Sequence, residues 1–498
     1  MTPMLALISF DAVSRPLLDR MIAQGRLPNC AALLRRGKTY AMESTPLHAS
    51  VYRSLYTGLS VSTHGVYYPL QWRASEQRVT PTDPLDPVHS IFARLDRAGR
   101  RILVIDPPEC GSFTPRSGVA VCGWQFTARF VLPQWYSSTR IARWLKNQFG
   151  TPRRCDEVFG RPSIRRLRAM HDILQSAPGR LADATIACLK EGEVDFLWVT
   201  FVAAHVAGHQ LWRESLDSTP DSGREPEILT GIYEKADDAL GRMLAAFPPQ
   251  TDVIVFSPNG MGPETSRADF LPAMLARVMA GHARQRPATP PGDRLWRLRA
   301  VTPTTLRGLV ADAMPDQLAV RLTAYLENAG TDRTTTRAFA LPSDGAGFIR
   351  LNVKGRERHG IVDPRDADKL LDEIAAGLAT FVEPSGEHMI TSMVRSSDLA
   401  GPGPRSLSLP DLVVLWSHTP AAALRIVTSP RFGEVLRDGV GSGRSGNHCD
   451  GAWACVVPGG PRELAPDVGP VRAVDLASTV CAVMGVPRDD LLGRPLLR

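Results

Sequence analysis

Cysteine is scarce in this chain: eight in 498 residues, with no CxxC pair. That excludes a disulfide-dense scaffold and a thiolate zinc ribbon, and suits reduced thiols in a cytoplasmic protein. Long hydrophobic runs are also missing. The opening "MLALISFDAV" is too short to cross a bilayer and has neither a basic leader nor a cleavage site. No signal peptide, membrane span or membrane partner is expected. Basic runs are absent as well. Lys and Arg total 58 against 51 Asp and Glu, a net charge of +7, but the arginines are scattered. Nothing therefore marks a nucleic-acid tail, whereas a mildly basic surface suits a small anion. No internal repeat or low-complexity tract occurs, and no pattern fixes an oligomeric state.

What is present is an ordinary globular mixture, 43% apolar and 22% charged, long enough to bury a large core. The run from Met4 to Phe10 predicts a buried strand that ends at Asp11. Helical patterns follow in "SRPLLDRMIAQG", "LPNCAALLRRG" and "HASVYRSLYTGL", each closed by glycine. Helix then alternates with apolar strand: "VHSIFARLDRAG" before "RILVID", "LADATIACLKEG" before "VDFLWVTFV", and "EKADDALGRMLAAF" before "DVIVFS". That order predicts an α/β fold with a mainly parallel sheet flanked by helices.

A stretch rich in Pro and Arg interrupts the alternation. It leads into helical patterns ("TLRGLVADAM", "QLAVRLTAYLENAG"), a strand in "AGFIRLNVKG" and a helix in "DADKLLDEIAAGLATFV". We read residues 1–283 as the first part of a core, 284–400 as an inserted α+β cap, and 401–498 as the rest of the core. In that last part "PDLVVLW", "ALRIVTS" and "GAWACVVPGG" are core-like strands, and "VRAVDLASTVCAVMGV" is a final helix.

Ligands of open parallel sheets bind beyond the carboxyl ends of the strands. There the sequence places Asp11 after the first strand, and His205 and His209 after "FLWVTFV". Ser257 and Asn259 follow in "SPNGMG", and His448 and Asp450 lie in "GNHCDG". Any one of these histidines reads equally as a satisfied polar residue, but their joint position at strand ends points to a metal or ligand site.

These segments, with "SFDAV", "YTGLSVSTHGV" and the closing "LLGRPLL", resemble the alkaline phosphatase superfamily. They are most similar to its type I phosphodiesterase/nucleotide pyrophosphatase branch and that branch's phosphohydrolase and phosphomutase relatives. The segment "GFIRLNVKGRERHGIV" resembles the cap of those relatives. The resemblance implies an alkaline phosphatase-like core and two-metal phosphoester chemistry. It implies metal ligands at Asp11, at His209 in "HVAGH" and at His448. It puts His205 where the family has Asp, and Pro258 and Asn259 where it has an Asp-His pair. The family's Thr or Ser nucleophile lies nine residues before the Thr of "TG", which here is Thr57, so that position falls on His48.

The residues themselves predict one Zn²⁺ held by His205, His209 and His448, with the second divalent ion weak or absent. Three options remain for the nucleophile. Ser50 can substitute or can merely start a helix. His48 can attack phosphorus itself or carry a proton, and metal-activated water is the third route. In "KGRER", Lys354, Arg356 and Arg358 either meet a substrate anion or form a solvated turn, and the aromatic "HGVYYPLQW" lines a pocket or packs in the core. The expected function is a metal-dependent phosphoric ester hydrolase, a phosphodiesterase or related phosphoryl or sulfuryl transferase, acting on a small phosphate ester with Asn259, Lys354 and Arg356 binding substrate. The alternative is a pseudoenzyme of the same fold that binds a ligand without turnover.

Overall fold

The computed structural model describes residues 3–83, 85–157, 162–212, 227–281, 314–328, 333–437, 442–466 and 469–498. An eight-stranded sheet forms its centre, in the order Lys38–Ala41, Trp453–Val457, Asp252–Ser257, Leu5–Phe10, Phe196–Phe201, Ile102–Ile105, Gly118–Cys122, Trp135–Tyr136. The five strands from Asp252–Ser257 to Gly118–Cys122 run parallel, and antiparallel strands finish both sides.

The continuous apolar runs have a simple cause: both faces of the sheet are covered, so every position of the central strands Leu5–Phe10, Ile102–Ile105, Phe196–Phe201, Asp252–Ser257 and Trp453–Val457 is buried. Side chains alternate between two clusters. Ala6, Ile8, Leu197, Val199, Val253 and Val255 join the core on one face. Leu5, Leu7, Phe196, Trp198, Ile254 and Phe256 join the core on the other. Helices Arg15–Ala23, Pro28–Arg36, Ile164–Lys190 and Glu227–Ala246 cover the first face. Helices Ser50–Thr57, Ile91–Arg97 and Ala473–Val483 cover the second. The α/β reading holds, and the helix–strand alternation is seen around Ile102–Ile105, Phe196–Phe201 and Asp252–Ser257.

A second sheet of four antiparallel strands runs in the order Ala338–Leu341, Gly347–Leu351, Leu412–Trp416, Ile390–Arg395. It packs on Leu271–Ala280 and Ala367–Leu378. One reading needs correction here. The strand in "PDLVVLW" was expected beside the core, but it pairs with Gly347–Leu351 and Ile390–Arg395. The strand in "ALRIVTS" forms a hairpin with Gly433–Leu436. A buried apolar strand has the same pattern in either sheet, so periodicity alone does not assign its partner. Trp453–Val457 is the strand that returns to the central sheet. The helix expected in "TLRGLVADAM" falls almost wholly outside the described residues, as does the start of the inserted region. No helix among the described residues is long and apolar enough to cross a membrane.

Candidate metal centre

The strand Phe196–Phe201 runs directly into the helix Ala203–Leu211, which is buried along its whole length. A spacing of four places His205 and His209 on one face of that helix, with ring centroids 4.9 Å apart. His448 arrives on the short strand Gly446–Cys449, which pairs antiparallel with Gly260–Pro263 and sets His448 opposite Met261. Its ring lies 4.8 Å from that of His205 and 4.8 Å from that of His209. Two glycines permit this approach. A Cβ on Gly446 would lie 2.3 Å from the Gly208 carbonyl oxygen, and one on Gly208 would lie 2.6 Å from Met261 Cγ.

One possible donor atom from each of His205, His209 and His448 lies within 4.8 Å of the other two. Hydrogen bonds set which atoms face inward. His205 Nδ1 bonds to Asp11 Oδ2 at 2.6 Å, and His209 Nδ1 donates to the Gly446 carbonyl at 3.0 Å. Both therefore offer Nε2, as metal-binding imidazoles with a partner on the opposite nitrogen do. His448 Nδ1 is buried with no partner, and so is Asp11 Oδ1. Burial, then the neighbouring positive groups, holds His209 and His448 neutral, with pKa values well below the usual imidazole range. Burial also opposes charge on His205, but the Asp11 carboxylate outweighs it and raises that pKa. Three converging imidazoles, His205 and His209 buried and His448 with an orphaned Nδ1, are a neutral nitrogen set that would suit a zinc-like ion.

Asp11 was expected as a metal ligand. Its Oδ2 bonds to His205 Nδ1, while its buried Oδ1 has no hydrogen-bond partner and stays open to an ion.

His48 stands just before the helix Ser50–Thr57, its ring 5.2 Å from that of His448. Its Nδ1 is 3.4 Å from Asn259 Oδ1. Burial lowers its pKa, and Asp344, Asn259 and Asp450 partly offset this. Asn259 is buried, and its carbonyl accepts from Ser257 Oγ. Ser50 is the first helical residue, with Ala49 at the cap position, so it is not a side-chain cap.

Lys354 and Arg356 follow a strand of the second sheet. Gly345 abuts His48, and the strand Gly347–Leu351 extends from there toward Lys354 and Arg356 at its far end. Lys354 is exposed. Arg356 is bound by both Asp411 oxygens, by Glu357 and by the Leu351 carbonyl. In "HGVYYPLQW", Tyr67, Leu70 and Trp72 pack in a core cluster.

Sequence reasoning missed several neighbours. Glu109 follows the strand Ile102–Ile105 with a left-handed backbone, φ 58°. Burial pushes its carboxyl up to about 7, with Arg53 opposing and Asp11 adding to the effect. Arg444 is ion-paired to Asp344 and Glu157, which keep it charged despite burial. Its place four residues before His448 in a Gly/Ser-rich loop was the one local signal. Its partners lie 100 and 287 residues away, where no local pattern reaches.

The family description "Type I phosphodiesterase / nucleotide pyrophosphatase" matches residues 5–289. Among solved structures, the chain is similar to phosphonoacetate hydrolase from Sinorhizobium meliloti 1021 in complex with phosphonoformate, at 14% identity and a TM-score of 0.52, covering 97% of this chain and 96% of that one. It is also similar to murine ectonucleotide pyrophosphatase/phosphodiesterase 5 in complex with AMP, at 11% identity and a TM-score of 0.47, covering 100% of both. No curated protein sequence matches. The fold is alkaline phosphatase-like, and the chain belongs to the type I phosphodiesterase/nucleotide pyrophosphatase family.

Proposed function

We propose that the protein is a phosphoric ester hydrolase, best read as a phosphodiesterase, that works with one divalent ion. The observation behind this is the convergence of His205, His209 and His448 with two of the three Nδ1 atoms already committed elsewhere. Zinc is the ion this neutral nitrogen set favours. When bound, it supplies Lewis-acid polarisation of a phosphoryl oxygen and lowers the pKa of a water in its open position. The chain's own residues do the rest. Asp11 and the Gly446 carbonyl hold two of the imidazoles in the binding tautomer. Donation of Nδ1–H to Asn259 leaves His48 with a free lone pair on Nε2. Water attacks phosphorus as its proton passes to His48, the P–O ester bond breaks, and that proton is returned from His48 to the leaving oxygen, directly or through solvent, so that alcohol and monoester are released. His48 is the proton carrier in this reading rather than the nucleophile. The eight unpaired thiols suit a cytoplasmic enzyme.

A second reading, ligand binding without turnover, is favoured by Pro258 and Asn259 at the family's Asp-His positions and by the missing hydroxyl at 48. Turnover of an aryl phosphodiester separates the two. The proposal expects hydrolysis that chelation abolishes and zinc restores. It also expects His48→Ala to keep one ion per chain while turnover falls roughly 10²–10⁴-fold. Bound zinc with no turnover of any aryl phosphate ester supports the binding protein.

A further inference from the structure

The catalytic reading leaves Arg444 unused. Its side chain is 9% exposed, and it donates from Nη1 to Asp344 Oδ2 and from Nη2 to Glu157 Oε2, each at 2.5 Å. A guanidinium committed to two carboxylates is a poor receptor for a substrate anion. It is a strong, directional clasp, because charge-assisted fork geometry fixes position as well as contact.

What it clasps is the machinery of the site. The residue after it, Ser445, donates its N–H to the His209 carbonyl at 2.8 Å and accepts from the Trp212 N–H at 2.9 Å. Gly446 then accepts from His209 Nδ1. Asn447 donates from Nδ2 to the Asp344 carbonyl at 2.5 Å, and His448 follows. On the other side of Asp344, a Cβ on Gly345 would lie 3.3 Å from His48 Cδ2. The Gly345 carbonyl is itself fixed by Ser266 Oγ at 2.8 Å and Trp416 Nε1 at 3.0 Å. Arg444 thus ties a second-sheet loop, a core loop and the His448 segment at one point.

We infer that Arg444, gripped by Asp344 and Glu157, is a positioning residue that sets the mutual placement of His209, His448 and His48. One of its two tests rests on the proposed metal site; the other does not. Arg444→Lys keeps the charge and removes the fork, and Glu157→Gln keeps the volume and an oxygen acceptor but removes one of the two charges that grip it, so at least one variant is expected to fold. The first readout is zinc affinity by chelator competition, expected to fall about 10–100-fold with one ion per chain still reached at saturation. The second is the tautomer of His209 by ¹⁵N-histidine NMR on metal-free protein, where the parent should show a fixed Nδ1–H form and Arg444→Lys a mixture. Unchanged affinity and an unchanged tautomer in folded variants would overturn the inference, even if thermal stability drops. If the parent binds no zinc, the metal reading fails, and the tautomer alone decides this one.

Discussion

Asp11 and His205 form a buried pair at 2.6 Å in which the carboxylate orients the imidazole. The pair makes a test of role possible at one residue. Asp11→Asn retains an oxygen acceptor for His205 Nδ1–H but removes the charge. An orienting Asp11 predicts that one ion still binds, with affinity lower by roughly 10–100-fold. Titration with zinc against a competing chelator measures this; complete loss of the ion would make Asp11 a direct ligand. The sequence exposed the histidines because each follows a strand or sits among glycines. It did not expose the division of labour between Asp11 and His205, which depends on which nitrogen each ring turns outward.

At the scale of elements, close backbone contact builds the site. The strand Gly446–Cys449 lies against the helix Ala203–Leu211 because Gly446 has no side chain to meet the Gly208 carbonyl, which a Cβ would approach to 2.3 Å. Gly446→Ala therefore has backbone, not a flexible side chain, to displace. The expected result is a loss of about 1–3 kcal/mol in denaturant unfolding together with weakened zinc binding. A variant with parent-like zinc affinity would show that the strand is free to shift. The helix junction behind His48 carries a pH signature. His64 Nε2 faces Ser54 Oγ at 3.0 Å and its Nδ1 accepts from the Val66 N–H, so the neutral ring is built in. Burial, then the Arg53 charge, lowers its pKa from 6.5 to about 3. Below about pH 6.5 the unfolded chain binds a proton that the native ring refuses. Stability is therefore full above that pH and is lost as pH falls, by up to about 1.4 kcal/mol per unit. Urea unfolding at pH 7 and pH 5 should show a smaller drop for His64→Gln than for the parent; equal drops would contradict the depressed pKa. The alternation of helix and strand was readable at this scale because both sheet faces are buried. The partner of Leu412–Trp416 was not, because pairing is set by contacts far along the chain.

Across the whole molecule, the site is assembled from both ends of the sequence. Asp11 and His48 come from its first tenth, and His448 is carried in beside Trp453–Val457, which pairs with Asp252–Ser257 in the central sheet. The net charge of +7 suits an anionic ester, while the residues that bind it are chosen locally. His205, His209 and His448 are expected to hold one ion, with Pro258 and Asn259 leaving no second tight position. The most direct measurement is metal stoichiometry by elemental analysis after zinc loading and gel filtration, on the parent and on His209→Ala. The parent should carry about one ion per chain and the variant about none. Two tightly held ions in the parent, or an unchanged count in His209→Ala, would contradict this.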